Sequence, residues 1–138
     1  MMTHEQARIA FMQLIDSFEF KSLDQSMIFT QNQPTKNGGP FEAPDDGLWC
    51  QVFIRNAPSF ISGLADTPCT RTVGNLIIQC FDRVGNDTLS LTELSDAWIK
   101  HLQFKCVEHL ELLQGSVIDV GETEDFYQFN VIFEYRVN

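Results

Sequence analysis

From Tyr127 to Val137 the chain keeps a period of two: Tyr127, Phe129, Val131, Phe133, Tyr135 and Val137 alternate with Gln128, Asn130, Glu134 and Arg136. Only an extended strand sends every second side chain to one face. The segment therefore reads as a strand with one strongly apolar face, whose other face meets water or a partner. The stretch before it, residues 109–120, is also strand-like, and the turn-prone Gly121-Glu-Thr-Glu124 separates it from residues 125–137. Together they predict an antiparallel hairpin. Residues 71–83 alternate again, with Leu76, Ile78 and Cys80 opposite Val73, Asn75, Ile77, Gln79 and Phe81. Apolar side chains on both faces make this the central strand. A further strand is expected where Leu48, Cys50, Val52 and Ile54 alternate with Trp49, Gln51, Phe53 and Arg55. Residues 26–30, and a portion of 59–64, are short enough for minor strands or turns.

Two helices interrupt this pattern. Thr3-His-Glu-Gln6 has the form of a capping box, and Ala7, Ala10, Phe11, Leu14, Ile15 and Phe18 follow at helical spacing. Ser90-Leu-Thr-Glu93 repeats the capping form, ahead of a stripe of Leu91, Leu94, Ala97, Trp98, His101 and Leu102. Between the elements lie two long connections, residues 31–47 and 56–70. The first holds three prolines and three glycines, and a loop of that length inside a compact domain is usually functional. The sum is an α+β chain: a mainly antiparallel sheet with two helices on one face, in the order helix, strands, helix, hairpin. With 138 residues, positions 1–138 form a single domain that can bury a core without disulfide or metal staples.

The formal charge is -10, which argues against broad binding to a phosphate backbone, since that requires clustered Lys and Arg. An acidic surface is nevertheless compatible with DNA passing nearby, because it keeps a polyanion from sticking. Cys50, Cys69, Cys80 and Cys106 have no CxxC spacing and read as reduced core thiols. Reduced thiols, the lack of a signal-peptide pattern and the lack of a long apolar run point to a protein made in the cytosol, with no membrane partner.

No catalytic constellation emerges. Residues 82–93 place Asp82, Asn86 and Glu93 at positions 1, 5 and 12 of a calcium loop, but Val84 stands at the third position and Asp87 where the turn requires glycine. His4, His101 and His109 are not spaced as zinc ligands, and His101 sits on the apolar stripe of the second helix, where a partly buried, hydrogen-bonded ring is expected. No nucleophile elbow, lysine-bearing phosphate loop or GxGxxG run is present. The reading is no enzyme, no metal and no cofactor. What stands out is apolar residue use beyond one core face, in Trp49 and Phe53 on one strand and Val73, Ile77 and Phe81 on another. Such a surface is either a second small core under the long loops or an oligomer interface.

Pro40-Phe41-Glu-Ala-Pro44, then Trp49 in a strand, then Arg71-Thr-Val-Gly74-Asn-Leu-Ile-Ile-Gln-Cys-Phe81, resembles the tail terminator proteins of long-tailed bacteriophages. The order of elements is similar over nearly the whole chain. The resemblance implies a non-enzymatic virion protein that assembles into a ring, typically hexameric. Such a ring ends tail-tube polymerisation and joins the tail to the head-tail connector. The implied partners are other copies of itself, the tail tube protein and the connector or head-completion protein, with DNA passing through an acidic lumen without specific binding. Its place would be the virion tail, after assembly in the host cytoplasm. Phe41, an aromatic held between two prolines, is the expected anchor of the oligomer interface, with Trp49, Phe53 and Arg71 as its other members. A different virion joining or tube protein, or a regulatory peptide-binding module, fits the same chain pattern.

Overall fold

The computed structural model describes residues 3–20, 23, 27–30, 47–56, 60–61, 70–85, 88–123 and 126–137. In chain order they form α1 (His4–Asp16), β1 (Ile28–Thr30), β2 (Trp49–Asn56), β3 (Phe60–Ile61), β4 (Thr70–Arg83), α2 (Leu89–Leu102), β5 (Cys106–Val107), β6 (Leu110–Thr123) and β7 (Phe126–Val137). Six strands lie in the order β1-β2-β4-β7-β6-β5, and β3, off this path, pairs with the start of β4. The fold is α+β.

The sheet is mixed, which corrects the expectation of a mainly antiparallel one. β1 runs parallel to β2, with Ile28 beside Cys50 and Thr30 beside Val52, whereas the remaining pairings are antiparallel. Parallel neighbours need a connection that carries the chain back along the strand, a dozen residues or more. The length of residues 31–48 therefore has a topological reason as well as any functional one. The order of elements also departs from the expected one, because β5 intervenes between α2 and the hairpin, and Phe104 and Glu108 adopt left-handed backbone (φ 61° and 54°) on either side of it.

α1 starts as its capping box predicts. The Thr3 hydroxyl accepts from the Gln6 N–H at 3.1 Å, and the Gln6 side chain accepts from the Thr3 N–H at 2.9 Å. α2 does not use its own: Ser90 and Glu93 lie within the helix, which begins at Leu89 after Thr88, and the Thr88 side chain makes no capping bond. At the other end the helices hold each other. Phe18 stacks on Trp98 with ring centres 3.6 Å apart. The His101 Nε2 lies 2.8 Å from the Leu14 carbonyl and 3.1 Å from the Ser17 hydroxyl. As an N–H donor it satisfies one of the carbonyls left open by the end of α1.

Both helices cover one sheet face. Phe11 and Ile15 of α1, and Leu91, Leu94, Trp98 and Leu102 of α2, are buried in one core with Val52, Leu76, Ile78, Val131 and Phe133. The alternation in β4 and β7 is thus used as read. Cys50 and Cys80 face each other across β2 and β4 in this core, both buried, with sulfurs 3.8 Å apart. Burial pushes the Cys80 thiol pKa up. Cys106 is exposed, contrary to its reading as a core thiol, because β5 is an edge strand. Cys69 lies outside the described residues.

Gly74 shows why the central strand needs a gap. A Cβ there would overlap the Arg55 carbonyl oxygen on β2 and come within 2.7 Å of the Tyr135 hydroxyl on β7. That hydroxyl donates to the Asn56 side-chain oxygen, tying β7 to the end of β2 across the glycine. Gly74→Ala is expected to destabilise the protein by about 1–3 kcal/mol, since a backbone oxygen cannot swing aside. Equilibrium urea unfolding measures it, and a change within about 0.5 kcal/mol would contradict the close approach.

Burial raises the Tyr135 phenol from an ordinary value of 10.0 to about 12. A raised folded-state value means that the unfolded chain loses this proton first. The resulting stabilisation is complete below pH 10 and disappears as pH rises toward about 12. Alkaline melts of Tyr135→Phe should therefore decline less between those limits than melts of the parent.

Candidate interaction surface

The strand registers arrange the sheet's second face, opposite the helices, in bands. Trp49, Phe81 and Gln128 form one cross-strand row, and Gln51, Gln79, Asn130 and Ile118 form the next. Phe53, Ile77, Ile132 and Ser116 make a third. None of these side chains is charged, in a chain with 19 acidic and 9 basic residues. Charge stands at both ends of these rows: Arg83 opposite Phe126 ahead of the first, and Arg55 and Glu134 flanking Asn75 beyond the third.

The aromatic row is a small core of its own. Trp49 stacks on Phe81 with centres 4.1 Å apart, and Phe126 meets both rings edge-on at 5.3 and 6.2 Å. Phe29 approaches Trp49 at 6.3 Å, and the Arg83 guanidinium lies 5.2 Å above the Phe126 ring. Trp49 retains only 4% of its exposure. At this end the structure takes the second-core alternative, and Trp49 offers a neighbour little surface. The amide and aliphatic rows differ, because Gln51, Gln79, Asn130, Phe53, Ile77 and Ile132 are each partly exposed and Ile118 half exposed. Gln128 of the aromatic row donates its side-chain N–H to Asn130 of the amide row at 2.7 Å.

Of the two expected interface residues whose side chains are described, Trp49 is buried and Phe53 keeps part of its side chain on this surface. The Arg55 guanidinium lies 5.4 Å above its ring. The Arg71 backbone pairs with Phe60 of β3 at the start of β4. Phe41 and nearly all of the 31–47 loop lie outside the described residues. Sequence reasoning missed the amide row. Gln and Asn on strands look like ordinary solvent-facing alternation, and only the register aligns them across three strands.

A cavity of about 230 Å³ opens beside the start of α1, lined by Thr3, His4, Arg8, Phe11, Asn56 and Tyr135 among others. Its phenol and its amide already bond to each other, and Thr3 is held by the capping box. Asp82 of the calcium-like run is buried, its carboxylate accepting from the Arg83 N–H at 2.8 Å. Among the described residues no group of three or more His, Cys, Asp or Glu is arranged to hold a metal ion, and no helix is long and apolar enough to cross a membrane.

These elements define an α+β chain with a helix-covered face and an open face whose middle rows are uncharged. No protein-family model and no curated protein matches the sequence. Among solved structures, one that carries only a sequence identifier in place of a name aligns over 100% of this chain and 97% of its own. Its TM-score is 0.69 and its identity 14%. That likeness shows the shared fold and nothing of function.

The two parts of the open face should respond differently to truncation. Trp49→Ala removes a stacked, buried ring and is expected to destabilise by about 3–5 kcal/mol. Phe53→Ala, on the partly exposed row, should cost about 1 kcal/mol or less. Paired urea melts test this, and equal losses would mean that both rows are core.

Proposed function

We propose that this protein is a phage tail terminator: a virion protein that assembles as a hexameric ring on the end of the tail tube and joins it to the head-tail connector. The observation that carries the reading is the uncharged middle of the open face. Depletion of charge at the centre of a surface marks the core of a protein interface. Here the eight side chains of the two accessible rows bear none, although the chain carries a formal -10. The acidic remainder suits a lumen through which DNA slides without being held. The resemblance of the 40–44 and 71–81 runs to tail terminators supports the same assignment and supplies the partners: further copies, the tube protein and the connector.

Solution mass tests it. Six copies of a 15.8 kDa chain give a particle of about 95 kDa, visible as a ring by negative-stain electron microscopy. Sedimentation velocity should show that species growing with protein concentration. A protein that stays monomeric or dimeric over the whole concentration range, alone and with tail tubes added, would overturn the assignment.

A further inference from the structure

On the helix side of the sheet the cross-strand rows are apolar in the middle and turn polar at one end. Val52, Ile78 and Val131 form one row, and Ile54, Leu76 and Phe133 the next. Then come Asn56, Gly74 and Tyr135, followed by Thr72 beside Val137. The cavity of about 230 Å³ lies at this end, walled by the sheet on one side and by α1 on the other. His4, Ala7, Arg8 and Phe11 line it from the helix, at the spacing that puts them on one helical face. Ala7 brings only a methyl group, so the space between helix and sheet stays open.

The deep wall is buried and aromatic. Phe11 and Tyr135, 1% and 2% exposed, meet edge to face with ring centres 4.9 Å apart. A third ring can add to such a corner in the same edge-to-face manner. Thr30, 8% exposed, stands in the same lining, and its hydroxyl is spent on the Met12 sulfur at 3.8 Å, a weak acceptor. The exposed mouth carries donors. Because the Tyr135 hydroxyl donates to the Asn56 side-chain oxygen, what that amide has left to offer is its nitrogen, with two N–H groups. Arg8 adds a guanidinium, which donates and never accepts. Among the described residues neither the guanidinium nor the amide nitrogen has a hydrogen-bond or ion-pair partner. None of the described lining residues is an Asp or Glu, in a chain with 19 of them.

We infer that this cavity is a binding site for a small aromatic carboxylate, its ring against Phe11 and Tyr135 and its carboxylate held by Arg8 and the Asn56 amide. Size sets the body. An apolar cavity of about 150 Å³ holds a benzene ring, so about 230 Å³ admits one ring and a short acidic arm. Charge and geometry set the arm, since one guanidinium matches one carboxylate through a fork of two hydrogen bonds. The site lies on the opposite side of the sheet from the uncharged rows. It goes beyond the tail terminator reading and stands or falls independently of it.

Isothermal titration calorimetry of the full chain, with phenylacetate as the probe, tests the site. The expected dissociation constant is about 1 mM or tighter. Phenylacetamide has the same shape without the charge and acetate has the charge without the ring, and each should bind at least about tenfold more weakly. Arg8→Gln and Asn56→Asp test the mouth. Both positions are exposed, and Asp keeps an oxygen for Tyr135, so both variants should melt close to the parent. Phenylacetate affinity should fall at least about tenfold in Arg8→Gln, and saturable binding should disappear in Asn56→Asp, where a carboxylate replaces the donor. Arg8→Gln, an exposed change on a helix, decides the matter if Asn56→Asp fails to fold. No saturable binding up to about 10 mM phenylacetate, equal affinity for phenylacetamide, tighter binding of phenyl phosphate, or parent-like affinity in folded Arg8→Gln would each overturn the assignment.

Discussion

Twelve consecutive residue pairs between β4 and β7, from Thr72 beside Val137 to Arg83 beside Phe126, hold the rest of the molecule in place. A slip of β7 by one residue would exchange its two faces, sending Phe133 and Val131 to solvent and Asn130 and Gln128 under the helices. The pairing lies in the middle of the sheet although β7 is the last strand of the chain. The core beneath α1 and α2 therefore cannot close until residues 126–137 are available, and the loop-closure entropy of that long-range contact must be met before packing rewards it.

The same register gives the two faces opposite characters. On the helix side it aligns Val52, Ile78 and Val131, all fully buried, under the Phe18–Trp98 stack that joins the helices. On the other side it aligns amides with amides and aliphatic residues with aliphatic residues, so that uncharged rows cross the sheet toward the β6 edge.

Much of the framework was legible in the residues. The alternation of β4 and β7, the capping box of α1 and the apolar stripe of α2 are local patterns, and each appears in the structure close to its expected bounds. The short β1 and β3 were also anticipated as positions, though not in their pairings. The candidate surface was half legible: Phe53 and Ile77 were singled out, while the amide row between them and the aromatic end was not. Ser90-Leu-Thr-Glu93 misled because a capping box competes with a helix start nearer the preceding turn, and α2 took the earlier one. β5 escaped notice because two paired residues leave no periodicity to detect.

Side-chain period, helix caps and net charge are properties of neighbours along the chain, and by themselves they determined that this protein has an α+β core, an apolar face on each long strand with a second on β4, and an acidic composition. The partner of each strand is a property of residues far apart. Tertiary structure alone decided that β1 runs parallel to β2, that Trp49 is spent on stacking with Phe81 and Phe126 while Phe53 stays partly open, and that among the described residues β6 has no strand beside it beyond Gly115 except β7. The physical reason is that alternation specifies which side chains share a face but is silent about what lies across it. Direction, register and coverage follow from which segments meet.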